Sequence, residues 1–161
     1  MDVTSQKRVT SSGRNKMKDT LEYKKARMRQ SPSAAELKVF TLLQSRVPPG
    51  TFEPLGSAVC YNSEDGLQVV SRERMTTTLW DKCMQSGFVT VPDFTYRPGK
   101  LAFYLDGPPH THSKVKQRDE KINKHLWSHG WLAVRFAYSG TLSDARAEQI
   151  VQETVEKVKE Q

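Results

Sequence analysis

The sequence is poor in cysteine, and its two copies, Cys60 and Cys83, lie far apart. Their spacing does not form a Cys-x-x-Cys metal motif, and two cysteines are too few for a disulfide framework. A chain of this kind suits a reducing compartment. We therefore expect a cytoplasmic protein, associated with the nucleoid if the source is bacterial.

Long apolar runs are also absent from the sequence. No stretch approaches the roughly 20 apolar residues that a membrane-spanning helix needs, and the N-terminus lacks the apolar segment of a secretory signal. Asp2, Asp19 and Glu22 argue against an organellar transit peptide. The sequence therefore predicts no membrane partner.

Residues 1–30 contain few acidic and few aliphatic residues. They carry nine cationic residues against three acidic ones, which accounts for +6 of the formal net charge of +7. Such a segment cannot bury itself, so we expect a disordered basic arm followed by a single domain over residues 31–161. Its natural partner is nucleic acid, with a solubilising tail as the alternative. The predicted nucleic-acid contacts are Lys7, Arg8, Arg14, Lys16, Lys18, Lys24, Lys25, Arg27 and Arg29.

Two apolar segments, residues 91–96 and 101–106, are joined by a turn with Pro-Gly at its centre. This pattern predicts a β-hairpin. If Tyr96 pairs with Leu101, Asp93 lies opposite Tyr104, and Asp106 lies on the diagonal of the same face. Two carboxylates within reach of one another favour a divalent cation such as Mg²⁺ or Mn²⁺. The alternative is that both aspartates simply end strands and start turns.

Two predicted helices carry an acid on an otherwise apolar face. Residues 32–44 form the first, opened by Ser31-Pro32, with Glu36 on its stripe. Residues 113–129 form the second, ended by Gly130, with Asp119 on its stripe. A local reading remains open for Glu36, because Ser33 and Glu36 have the spacing of a capping box.

The other segments give weaker signals. Residues 47–87 are broken by turn residues, so we expect irregular structure with a short helix over residues 76–85 and a strand near residues 67–70. In this region Trp80 is expected to be a core anchor. Residues 131–138 predict a strand, and residues 142–160 predict an amphipathic helix that buries Ala145, Ala147, Ile150, Val151, Val155 and Val158.

Taken in order, these pieces resemble the PD-(D/E)XK nuclease superfamily, in the branch that contains the very short patch repair endonuclease and related bacterial domains. The resemblance runs over residues 31–158. Its elements are Ser31-Pro32 with Glu36, Pro92-Asp93-Phe94, Asp106-Gly107 with His110, the Asp119 helix, and Gly130-Trp131 leading to Val134-Arg135-Phe136. It implies an α/β fold with a restriction-endonuclease-like core, in which helices flank a mixed β-sheet.

The resemblance also implies a site and an activity. The activity would be metal-dependent hydrolysis of phosphodiester bonds in DNA, of the nicking or the repair and recombination type. Asp93 would be the principal metal ligand, shared with Asp106, and His110 would move the proton, with His112 as a spare. Glu36 and Asp119 would orient the histidine or support the metal. The chain departs from the wider superfamily at Tyr104 and Asp106, where an acid and a lysine are usual; the branch named above also lacks that acid.

Two other readings stay open. A catalytically degenerate nuclease fold would bind nucleic acid or a partner protein without cutting, although convergent carboxylates repel the phosphate backbone unless a cation intervenes. A zinc site formed by His110, His112, Cys60 and Cys83 has suitable ligand types but unsuitable cysteine spacing. RNA is an alternative to DNA, and two cuts on a duplex would favour a homodimer or a protein partner.

Overall fold

A computed structural model of the chain describes Met28, residues 33–108 and residues 113–161. This part of the chain forms four helices and six strands, so the predicted α/β class is confirmed. In chain order the elements are α1 (Ala34–Gln44), β1 (Ala58–Asn62), β2 (Gly66–Val70), α2 (Thr77–Ser86), β3 (Phe88–Thr90), β4 (Phe94–Tyr96), β5 (Leu101–Asp106), α3 (Ser113–Ser128), β6 (Leu132–Ala137) and α4 (Asp144–Lys159).

The strands form two three-stranded sheets. The first has the order β2-β1-β3 and is antiparallel throughout, whereas the second has the order β4-β5-β6 and is mixed. In the second sheet β4 runs antiparallel to β5, and β6 runs parallel to β5. The parallel pair requires a crossover, which α3 supplies.

The predicted hairpin is confirmed in its register. Tyr96 pairs with Leu101, and the ladder continues to Phe94 opposite Phe103. The turn closes through the Lys100 N–H, which donates to the Arg97 carbonyl over 3.1 Å. Lys100 takes the left-handed conformation at φ 55°, so the strained position of the turn falls one residue after Gly99.

Helices cover both faces of the second sheet. Alternate residues of β5 point to opposite sides, as the pleat requires. Leu101, Phe103 and Leu105 pack against α1 and α4, while Ala102 and Tyr104 pack against α3. The same α3 cluster includes Val59 and Phe88 of the first sheet and therefore joins the two sheets.

The predicted helix boundaries differ slightly at the N-termini. Helix α1 is capped by Ser33 rather than Ser31, because Ser33 Oγ accepts a hydrogen bond from the Glu36 N–H over 3.2 Å. Ser31 and Pro32 lie outside the described residues. Ser143 caps α4 in the same way. Within α4 the predicted burial is wrong at Ala145, which is exposed, because it lies off the face that carries Ala147, Ile150 and Val151.

The expectation for residues 47–87 is confirmed in part. The predicted helix and the strand near residues 67–70 are present, but β1 was not predicted, and neither was β3, which begins just after this segment. A turn at Asn62 joins β1 to β2, because Asn62 Oδ1 accepts from the N–H groups of Glu64 and Asp65 over 3.1 and 2.8 Å. Gly66 then takes φ +78°.

One residue of the predicted basic arm lies in the core. Met28, which the sequence places in the basic arm, is fully buried beside Trp80 and Cys83. Trp80 is 4% exposed, which confirms it as a core anchor. Among the helices of the described residues, none is long and apolar enough to span a membrane.

Candidate functional site

A polar pocket of about 450 Å³ opens where β5 ends. Its walls come from the ends of β3 and β5, the segment between β3 and β4, the first turn of α1 and the middle of α3. Strand ends beside a crossover helix are where α/β proteins usually bind ligands. The lining includes the acids Glu36, Asp93, Asp106 and Asp119 and the cations Arg118 and Arg135.

Asp93 is fixed at the edge of the hairpin. Its N–H donates to the Phe103 carbonyl over 2.8 Å, and its Oδ2 accepts from the Leu105 N–H over 2.6 Å. The ladder therefore ends at Phe94, and the carboxylate of Asp93 takes the place of the next backbone partner. A charge-assisted bond of this length holds the carboxylate in one orientation toward the pocket.

Arg135 lies at the centre of the site. Its Nη1 is 3.1 Å from Asp106 Oδ1 and 3.6 Å from Asp119 Oδ1. Its Nε donates to Asn123 Oδ1 over 2.8 Å, and its guanidinium lies 4.0 Å from the centre of the Tyr104 ring. The three charged side chains are only 12–16% exposed, so one arginine ties β5, β6 and α3 together.

Tyr104 joins the two sheets through its hydroxyl. The phenol oxygen lies 2.6 Å from Thr90 Oγ1, at the end of β3. Burial of the ring raises the pKa of Tyr104 above its usual value, an effect that the Thr90 hydrogen bond and the charge of Arg135 only partly oppose. Tyr104 is therefore a neutral hydrogen-bonding group at the pocket wall and does not act as a base near neutral pH.

Glu36 is a buried acid, 5% exposed, in the first turn of α1. Its backbone N–H is bonded to the Ser33 cap, as the local reading expected, and its residue also lines the pocket. A carboxylate near a helix N-terminus is stabilised by the helix dipole. The Ser33 half of the predicted capping box is therefore present, and the role of the Glu36 carboxylate stays a prediction.

The structure brings together four of the predicted site residues: Glu36, Asp93, Asp106 and Asp119 all line the same pocket. The two histidines, His110 and His112, lie outside the described residues. So do the nine cationic residues of the arm. That Asp93 and Asp106 share one cation stays a prediction. Asp106 forms an ion pair with Arg135 in this structure.

The sequence assigned no role to Arg135, although its side chain contacts Asp106, Asp119, Asn123 and Tyr104. The alternation of residues along β6 could have indicated the role of Arg135. Along β6 the apolar Val134 and Phe136 face the α1 and α4 layer, so Arg135 must point to the opposite side. An arginine aimed at a covered face of a sheet needs a charged partner.

The oxygen ligands in the pocket are of the type that a hard divalent cation prefers. Glu36 and Asp93 offer carboxylate oxygens, and Mg²⁺ in proteins is commonly held by one or two carboxylates together with substrate phosphates. Within the described ranges, no three His, Cys, Asp or Glu side chains are grouped closely enough to hold a metal on their own.

The cysteines lie away from this pocket. Cys60 and Cys83 are both fully buried in the apolar cluster with Trp80. Burial, and then the neighbouring Cys83, raise the pKa of Cys60 above its usual value, so the thiolate that zinc requires is disfavoured. We interpret these cysteines as core residues.

No family model matches the chain, and neither a curated protein nor a solved structure is significantly similar to it.

Proposed function

We propose that the protein is a metal-dependent phosphodiesterase with a restriction-endonuclease-like core, acting on DNA as an endonuclease. One observation carries the proposal: four carboxylates from four separate segments of the chain line one pocket at the end of β5. Four acids in one pocket need cations beside them, because like charges raise one another's cost of ionisation, and Arg135 pairs with two of the four. A bound divalent cation would lower this cost further.

The charge balance of the pocket favours such a ligand. Arg135 is paired with Asp106 and Asp119. Asp93 would be the principal metal ligand, oriented for this by the Leu105 N–H, and Asp106 or Glu36 in the same pocket would be the second. Mg²⁺ or Mn²⁺, when bound, would neutralise phosphate charge and acidify water.

The chain's own residues have distinct tasks in this proposal. Arg135 places a fixed positive charge beside Tyr104 and Asp106, the two positions at which the superfamily has an acid and a lysine. Arg135 thereby supplies a cationic group near the site, in place of the lysine that is absent at position 106. His110 is the proposed proton carrier, since the ordinary pKa of histidine lies close to neutral pH. Nucleic acid is the substrate class because the neighbouring surface of α3 is basic.

A second function is favoured by one specific observation. Asp106 and Asp119 are already ion-paired to Arg135, as they would be in a site whose role is structural. A catalytically degenerate nuclease fold that binds nucleic acid, or a partner protein, is therefore the alternative.

The test is a cleavage assay on supercoiled plasmid and on mismatched and branched DNA, with Mg²⁺, Mn²⁺ or EDTA. We expect cutting that requires metal and falls at least 100-fold in Asp93→Asn and His110→Ala. Glu153→Gln, which neutralises an exposed acid on α4, is the matched control and should cut like the wild type. Salt-sensitive DNA binding without cutting under any of these conditions would replace the proposal with the binding module.

A further inference from the structure

A groove leaves the carboxylate pocket and follows α3 on its β6 side. Next to the pocket it is a depression of about 360 Å³ that shares Asp106, Asp119 and Arg135 with it and adds Lys116, Glu120 and Asn123. Beyond Asn123 it continues as a depression of about 310 Å³, lined by Lys124, Trp127, Trp131, Leu132 and Ala133. We call these two depressions together the α3–β6 groove.

Trp127 stands at the far end of the groove. Its side chain is 73% exposed, whereas Trp80 and Trp131 are each 4% exposed. Leu132, on the other wall, is 42% exposed. An indole left in water beside another apolar side chain forms a flat apolar surface that the fold itself does not use.

The charges differ between the two ends of the groove. Helix α3 carries five lysines and arginines against two acids, but both acids, Asp119 and Glu120, line the depression next to the pocket, whereas Lys124 is the charged residue that lines the far depression beside Trp127. Lys116 and Trp127 are eleven residues apart, close to three helical turns, so they lie on the same side of α3, and Lys124 lies one turn before Trp127. A second copy of the chain would meet like charge here, whereas a polyanion would meet opposite charge.

We propose that the α3–β6 groove binds single-stranded nucleic acid, with an unpaired base stacked on Trp127 and phosphates beside Lys124 and Lys116. Exposed aromatic rings beside a basic track are the means by which proteins hold single strands without reading their sequence. A duplex keeps its base faces covered by stacking, so it cannot use the indole in this way. The proposal that the groove binds a single strand depends only on the shape, exposed side chains and charges of the groove. The further step, that this strand leads into the carboxylate pocket for cutting, rests on the proposed function.

The chain provides its own probe for the binding step. Trp80 lies outside the groove, and Trp131 lines it but is only 4% exposed, so the same titration of Trp127→Phe shows how much of the quenching of tryptophan emission comes from Trp127. The experiment is a fluorescence titration of the full chain in EDTA, which prevents cutting, with oligothymidylate, oligouridylate and a blunt duplex of equal length. We expect saturable quenching by both single strands and little by the duplex.

Affinity is then measured by anisotropy of a labelled oligothymidylate. Loss of one stacked base costs about tenfold, so Trp127→Ala should weaken binding about tenfold, while Trp127→Phe should stay within about threefold of the wild type. Met84→Ala is the matched control, because Met84 is 58% exposed on α2, outside the groove, and should bind unchanged.

Several outcomes would overturn the inference. Equal affinity of Trp127→Ala and wild type would remove the stacking role. Equal quenching by duplex and single strand would remove the preference for unpaired bases. Self-association that depends on Trp127, seen by sedimentation without any quenching by oligonucleotide, would assign the surface to a second copy. Binding with these properties but without metal-dependent cutting would retain the groove and refute the proposed activity, so the two failures are distinguishable.

Discussion

At the scale of single residues, the site depends most on Arg135. Its guanidinium contacts two carboxylates, an amide oxygen and an aromatic ring, which come from two elements, β5 and α3. A lysine could bind one of these partners but not all of them, because only the guanidinium combines several fixed donors with a planar face that stacks. Arg135 therefore organises the pocket whether or not it touches a substrate.

Removal of Arg135 should destabilise the fold strongly. Arg135→Met removes the cation that is paired with the largely buried Asp106 and Asp119, for which we expect a loss of about 3–5 kcal/mol in the free energy of unfolding. Arg135→Lys should lose less. Urea titration followed by circular dichroism measures both changes.

Arg97→Ala is the control for this variant. It breaks an exposed pair with Glu53 and should cost less than about 1 kcal/mol. Equal losses at positions 97 and 135 would contradict the buried role of Arg135.

At the scale of elements, the junction between α2 and β3 is the tightest turn of the first sheet. Helix α2 ends as the Gly87 N–H donates to the Cys83 carbonyl over 2.8 Å, and β3 begins at the next residue. A Cβ at position 87 would lie 1.8 Å from the Tyr61 carbonyl oxygen of β1. Glycine is needed at this position because the backbone of β1 passes where a side chain would begin.

Gly87→Ala should therefore separate β1 from the junction. We expect a loss of about 3 kcal/mol from this overpacking, measured by urea titration. The control is Gly140→Ala, at φ +60° with open space around the new methyl group, which should cost about 1 kcal/mol from backbone conformation alone. If the two variants lost the same amount, steric contact with Tyr61 would not be the cause.

At the scale of the whole molecule, stability should fall at alkaline pH. The pKa values of Cys60 and Tyr104 are both raised by burial, from ordinary values of 9.0 and 10.0. The folded state keeps these protons at pH values where the unfolded chain releases them. Their stabilising effect is therefore complete below about pH 9 and is lost progressively above it, by up to about 1.4 kcal/mol per pH unit for each group.

Urea titrations between pH 7 and pH 11 measure this loss, and two variants separate the groups. Cys60→Ala should remove the part that begins near pH 9, and Tyr104→Phe the part that begins near pH 10. Tyr104→Phe should also cost about 1 kcal/mol at pH 7, because Thr90 loses its partner. A stability that stays level up to pH 11 in the wild type would contradict the burial of both groups.

Much of the fold could be predicted from local patterns. The Pro-Gly turn and its flanking apolar runs identified β4, β5 and the register between them, and periodic apolar residues identified α1, α3 and α4. Strands β1 and β3 could not be predicted. Both strands are short, and β1 pairs with a strand on each side of it. The five residues of β1 are too few for their own preferences to predict a strand.

The candidate site divides in the same way. The sequence by itself determined that Glu36 and Asp119 interrupt apolar helix faces and that Asp93 and Asp106 flank a hairpin, because helix and strand periodicity follow from backbone geometry alone. Only the tertiary structure decided that these four acids line one pocket, that Arg135 pairs with two of them, and that Trp127 remains in water. Such contacts join residues far apart in the chain, and they depend on how the helices and sheets pack rather than on any local preference.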